Sequence, residues 1–213
     1  MAVMFRIRHL ALAAFLLCFV SAVAAEAAAL PSPRTSGGAG VFDMLKNRAS
    51  ALGASFPTGK ISQEELSTLL WAATGLNRPD KWTVPMAMGK EPYCRVYVTG
   101  EGGTFLYDWK AHSLVETSKE DARSTVSGQS FVAQASHVLI FVTDGKAIES
   151  FGARGADWGP VLVGAMTQNV YLAAEALGIG GRYMASLKPD AVRSVCALEP
   201  ADVPLCIMPI GKK

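Results

Sequence analysis

Between Asp157 and Leu177 the sequence repeats apolar residues at helical spacing for about six turns. Val163, Met166, Val170, Ala174 and Leu177 form one stripe, Pro160 sits where a first turn tolerates proline, and Gly178 follows as a stop. A stripe of that length has to be buried against a broad apolar surface. The upstream residues supply one, because from Tyr93 the period changes to two. Cys94–Thr99 and Thr104–Trp109 flank Gly100-Glu101-Gly102-Gly103, which reads as a hairpin, and Val138–Val142 is apolar throughout, as in a strand covered on both faces. Ser62-Gln63-Glu64-Glu65 is a capping box opening a second helix that buries Leu66, Leu69, Leu70 and Ala73 and stops at Gly75. A short helix over Phe42–Arg48, a strand near Arg182–Ala185, a helix over Pro189–Ala197 and a strand over Pro204–Met208 complete the order. Irregular alternation of this kind predicts an α+β fold with a mixed or antiparallel central sheet flanked by helices.

At 213 residues, half of them hydrophobic, the chain can bury a sizeable core as one domain. Lys and Arg number 20 against 18 Asp and Glu, so no field gathers a polyanion, and nucleic-acid binding is excluded. Arg6 and Arg8 precede an apolar run from Leu10 to Ala25, followed by small-x-small sites at Ala22-Val23-Ala24 and Ala25-Glu26-Ala27. Residues 1–27 are therefore expected to be a signal peptide, with 28–41 an extended lead-in and 42–213 the folded domain. The mature protein is expected to be exported to the periplasm, with no membrane segment after signal removal. Arg6 and Arg8 are not adjacent, so the general export route is expected and a cofactor would be acquired outside. Of the three cysteines then left, Cys196 and Cys206 either pair or remain buried thiols, and Cys94 begins a strand.

Metal and triad chemistry find little support. His112 and His137 have no acid or cysteine at ligand spacing and read as strand-end residues. Gly178-Ile179-Gly180-Gly181 ends a helix instead of joining a strand to one, so it reads as a stop and a close backbone approach, not a phosphate loop.

The order of segments is more specific. Leu45-Lys46-Asn47-Arg48-Ala49-Ser50, then Leu69-Leu70-Trp71-Ala72-Ala73-Thr74-Gly75-Leu76-Asn77-Arg78, then Thr83-Val84-Pro85, then Gln168-Asn169-Val170-Tyr171-Leu172-Ala173-Ala174, and finally Pro209-Ile210-Gly211-Lys212, together resemble the nitroreductase family over residues 30–213. The resemblance implies a homodimer with FMN in clefts at the subunit interface, the flavin carrying the redox chemistry, and no catalytic side chain. It places the phosphate on an Arg-x-Ser-x-Arg segment and a basic C-terminus, here Arg48, Ala49 and Ser50 with Lys212 or Lys213. It places the ring against Pro85, Met86, Ala87 and Gly89, and against the segment holding Met184 and Ala185. Trp71 reads as core, and Gln168 and Asn169 as polar residues of a subunit seam.

The chain departs from that pattern at Leu52 for the second arginine, Met86 for serine, Gly89 for asparagine and Met184-Ala185 for Arg-Gly. The missing hydrogen bonds correspond to about 3–6 kcal/mol of cofactor affinity, a factor of about 10² to 10⁴. Two readings follow. One is an exported FMN-binding oxidoreductase whose substrate and electron donor the sequence does not specify. The other is a non-catalytic dimer of the same fold that has lost FMN and serves as a binding or structural module, with Met86 and Met88 lining a cleft for another flat ligand.

Overall fold

The strand predicted to be buried on both faces is the axis of the molecule. The computed structural model describes residues 27–87 and 91–213, so the expected export segment up to residue 26, Met88 and Gly89 lie outside the described residues. Nine strands are described: β1 (Ala27–Ala29), β2 (Leu76–Arg78), β3 (Lys81–Trp82), β4 (Cys94–Gly100), β5 (Gly103–Asp108), β6 (Ser113–Ser118), β7 (His137–Thr143), β8 (Ile179–Gly181) and β9 (Val203–Lys212). Seven of them form one sheet in the order β1-β6-β5-β4-β7-β9-β8, every pairing antiparallel, while β2 and β3 form a separate small hairpin. The helices are α1 (Val41–Asn47), α2 (Gln63–Thr74), α3 (Gly145–Glu149), α4 (Gly155–Ala176) and α5 (Pro189–Val195).

The pleat sends alternate residues of the central strands into two cores. Val96, Val98, Leu139, Phe141, Cys206, Met208 and Ile210 face α2 and α4, meeting Leu66, Leu69, Leu70, Val163, Met166 and Val170. Tyr97, Val138, Ile140, Val142 and Ile207 face α5 and the short 3-10 turns around Ala122 and Val132. Each buried aliphatic or aromatic side chain in these layers stabilises the fold by roughly 1.5–3 kcal/mol.

Local signals place most elements well. The Ser62 box is complete, with the Ser62 hydroxyl accepting from Glu65 N and the Glu65 carboxylate accepting from Ser62 N. The β4–β5 hairpin turns on Glu101 and Gly102, as its glycines require. Gly75 is not left-handed; φ is −72°, and the demand for glycine is steric, since a Cβ there would lie 2.4 Å from Trp71 Cδ1. Pro160 falls in the second turn of α4 rather than the first, because the helix begins at Gly155 and its start packs against β7, where a Cβ on Gly159 would meet Thr143 Oγ1 at 2.2 Å.

Other expectations need correction. The strand expected over Arg182–Ala185 is Ile179–Gly181, with only an isolated bridge from Met184 to Ile207 beyond it. Glycines that stop α4 therefore also serve as an edge strand: Gly178 has φ 66°, and a Cβ on Gly180 would lie 2.5 Å from Pro57 Cγ. β6 was not foreseen, since Ser113, Glu116 and Thr117 break the apolar alternation, and its partners are supplied by β5 and β1. No described helix is long and apolar enough to cross a membrane.

Cys196 and Cys206 do not pair. Cys196 caps α5 in one core and Cys206 points from β9 into the other, so the sheet lies between them. Burial pushes the Cys94, Cys196 and Cys206 thiols up to about 12. All three are expected to react with an alkylating agent only after denaturation, and to do so without reductant; a mass shift of one group instead of three would contradict this arrangement.

The two described histidines are structural. His112 Nδ1 meets Tyr107 Oη at 2.9 Å while Nε2 meets Ser67 Oγ at 2.7 Å and the Pro31 carbonyl at 3.1 Å, tying the lead-in to α2 and β5. His137 opens β7 with Nδ1 3.1 Å from Ser136 Oγ, which accepts from Ile61 N. Burial first, then the Arg123 charge against the weaker pull of Glu101 and Asp121, brings the His137 pKa down to about 4. The unfolded chain protonates near 6.5 while the folded chain does not, so this contribution to stability is complete above about pH 6.5 and is lost as pH falls toward about 4. The slope approaches about 1.4 kcal/mol per pH unit. Urea midpoints measured across that window are expected to fall for the parent and to fall less steeply for His137→Asn.

Candidate functional site

α1 ends at Asn47, and Arg48, its C-cap, turns the chain across the flank of α4. The Arg48 guanidinium lies 5.2 Å above the Tyr171 ring centroid, a cation–π contact. Among the described residues it has no carboxylate partner. Tyr171 Oη accepts from Tyr183 N at 2.7 Å and lies 2.8 Å from Ser50 Oγ. A phenol has one proton. In the Ser50–Tyr171 pair either hydroxyl can donate, and both are held in place by the bond from Tyr183 N.

Ala49, Ser50, Ala51, Leu52, Pro57 and Gly180 surround a cleft of about 340 Å³ beside this cluster. Its floor is fixed by Ala51 N donating to the Gly181 carbonyl at 2.9 Å and Arg182 Nη1 donating to the Ala51 carbonyl at 3.1 Å. The structure thus brings together Arg48, Ala49 and Ser50 of the expected phosphate segment. Tyr171, Pro57 and Gly180 were not read as site residues. Tyr171 was visible only as part of a helix motif, one position off the inward stripe, and its role depends on Ser50, 121 positions earlier in the sequence.

Lys212 does not supply a free second cation. Its ammonium pairs with Glu65 and donates to the Leu177 carbonyl at 2.7 Å. Although burial of the Glu65 carboxyl opposes it, this lysine and the Ser62 amide together hold the pKa below the usual range. Lys213 does line the cleft, but its Nζ is 2.7 Å from Glu175. Leu52 is 67% exposed at the cleft where the resemblance has an arginine.

Met184 is also displaced from its expected role. Its side chain is buried on the α5 side of the sheet, opposite Tyr171, and its amide donates to the Ile207 carbonyl at 2.9 Å. Neither its side chain nor its N–H is available to a ligand, because the bridge to β9 consumes one and the pleat hides the other. Ala185 is exposed beside it.

Pro85 and Met86 belong to a second cleft, of about 400 Å³, between β2–β3 and the segment that follows; it shares no lining residue with the first. Ala87 and Met86 pack partly against the core of α2 and α4. Asn169 fixes this segment by donating to the carbonyls of Ala72 at 3.2 Å and Thr83 at 3.1 Å, so its amide nitrogen is engaged within the chain. Gln168 is exposed. Trp71 is not core: it is half-buried, donates from Nε1 to the Leu76 carbonyl and lines two shallow clefts. No group of three or more potential metal-ligating side chains occurs among the described residues.

Comparison with known proteins agrees with this architecture. The sequence profile described as the nitroreductase family matches residues 55–212. A Methanocaldococcus jannaschii protein named as a candidate nitroreductase is 29% identical over 182 residues, covering 80% of this chain and 90% of its own. The crystal structure of a candidate nitroreductase from Ralstonia eutropha superposes with a TM-score of 0.80 at 28% identity, over 87% of this chain and 89% of that one. At 19% identity and a TM-score of 0.58, an NADPH:FMN oxidoreductase of Vibrio harveyi shares the fold over 80% of this chain and 67% of its own. The chain belongs to the nitroreductase family.

Proposed function

We propose that this protein is an exported FMN-binding oxidoreductase that works as a homodimer. The observation that carries the reading is the Arg48–Ser50–Tyr171 cluster: a cation without a carboxylate partner among the described residues and a hydroxyl held by Tyr171 stand beside a cleft whose lining is largely apolar. That donor set fits the phosphate end of a flavin. When bound, FMN supplies the electron-transfer chemistry. Arg48 and Ser50 hold its phosphate, Tyr171 holds Ser50, and Pro85 and Met86 offer apolar surface to the ring.

The two clefts are separate within one chain, and a second copy would let the phosphate cleft of one protomer complete the Pro85–Met86 cleft of its partner. The surface favours this. α1 has no buried residue, and Val41, Phe42 and Leu45 are exposed, Phe42 by 83%, along with Leu52 and Val161. Large apolar side chains clustered in this way mark an interface.

A second reading has its own support. Lys212 is tied to Glu65, Leu52 stands in for an arginine and Met184 is buried, so the flavin has fewer donors than the family pattern supplies. On that account the dimer has kept the fold and lost the flavin.

Visible-absorbance titration with FMN, beside a sizing measurement, separates the two. A yellow dimer near one flavin per chain is expected, with affinity reduced about 10- to 100-fold by Arg48→Ala and about fivefold by Ser50→Ala. A dimer that stays colourless at millimolar FMN would favour the flavin-free module. Phe42→Asp is expected to yield a folded monomer that no longer takes up FMN; a flavin-loaded monomer would remove the interface from the proposal.

A further inference from the structure

The β2–β3 hairpin turns a cationic and aromatic wall toward the second cleft, and the flavin reading assigns it no task. Asn77, Arg78, Lys81 and Trp82 line it beside Pro85 and Met86. Arg78 and Lys81 form no ion pair among the described residues, and no Asp or Glu lines the cleft. Asp80 occupies the hairpin turn at φ 54° and does not contribute to the lining. The two positive charges are therefore not compensated within the cleft.

Its aromatic wall is held rigidly. Trp82 meets Trp109 edge to face at 5.4 Å and 79°, and the Lys110 ammonium lies 5.0 Å over the Trp109 ring. The Trp82 indole N–H is buried without an acceptor among the described residues, which is costly for a donor. Met86 and Pro85 supply the apolar remainder. A flat ring fits such a wall, and a negative substituent on that ring answers Arg78 and Lys81.

We propose that this cleft selects planar aromatic carboxylates, and that it forms the substrate side of the flavin site. The second clause rests on the reading given above, because Pro85 and Met86 belong both to this cleft and to the segment expected to face the ring. The first rests on the chain's own residues.

Calorimetric titration of the purified protein, with and without FMN, tests it using 4-nitrobenzoate against its neutral counterpart 4-nitrobenzamide. The carboxylate is expected to bind about tenfold more tightly, with an advantage that shrinks as salt is raised. Arg78→Gln combined with Lys81→Gln, both exposed positions, is expected to abolish that advantage while leaving 4-nitrobenzamide binding and FMN uptake unchanged. Equal affinities for the two ligands, an advantage that survives the double variant, or competition between 4-nitrobenzoate and FMN for one seat would each overturn the proposal. A colourless protein that still prefers the carboxylate upholds the ligand class and defeats the flavin reading; a yellow protein that binds both ligands equally does the reverse.

Discussion

β7 has no polar face. Val138, Leu139, Ile140, Phe141 and Val142 are wholly buried, so both sides of the sheet must be covered if this strand is to leave water. That requirement produces two layers from one chain. α2 and α4 cover one side, and α5 with the short turns before β7 covers the other. Antiparallel neighbours β4 and β9 then satisfy its backbone on either edge. The positions of the clefts follow from this layering, because both lie along the edges of the α2–α4 layer, where connecting segments cross it.

The candidate site is assembled from segments that converge on α4. Arg48 and Ser50 approach from one end of the chain and Tyr183 from the other, and the Tyr171 ring and hydroxyl receive all three. Asn169, two residues earlier on the same helix, holds the segment leading to Pro85 through the Thr83 carbonyl. One helix therefore positions both clefts, and a change in its rotation would move them together. The terminal lysines show the opposite tendency. Lys212 runs along β9 into Glu65 at the start of α2, where the carboxylate is already oriented by the capping box, so its charge is met within the chain.

Much of the fold was legible because its signals are local. A glycine turn between alternating runs, a serine three residues before a glutamate, and a 3.6-residue stripe each declare themselves within a few residues. The failures have a common cause. β6 is polar enough to pass for a loop and becomes a strand through its partners. β8 consists of residues that read as a helix stop, and it pairs because β9 lies alongside. Pro160 was displaced by one turn because the start of α4 is set by Gly155 packing against α3 and Gly159 against β7, not by a side-chain cap. Met184 faces the α5 side and not the expected ligand side, and Cys206 is the buried thiol of the two alternatives, since a strand residue's side depends on register and register is a property of the pair.

The sequence alone therefore determined the two long helices, the doubly buried central strand, the capping of α2, the hairpin and the family, and it singled out Arg48 and Ser50 as candidates, because periodicity, turn chemistry and motif order are properties of consecutive residues. Tertiary structure alone decided that Ser50 meets Tyr171, that Lys212 is held by Glu65, that Cys196 and Cys206 lie on opposite sides of the sheet and that Arg78 and Lys81 share a cleft with Trp82. These are contacts between side chains remote in the chain or turned to a particular face, and what fixes them is which surfaces the buried strand draws together.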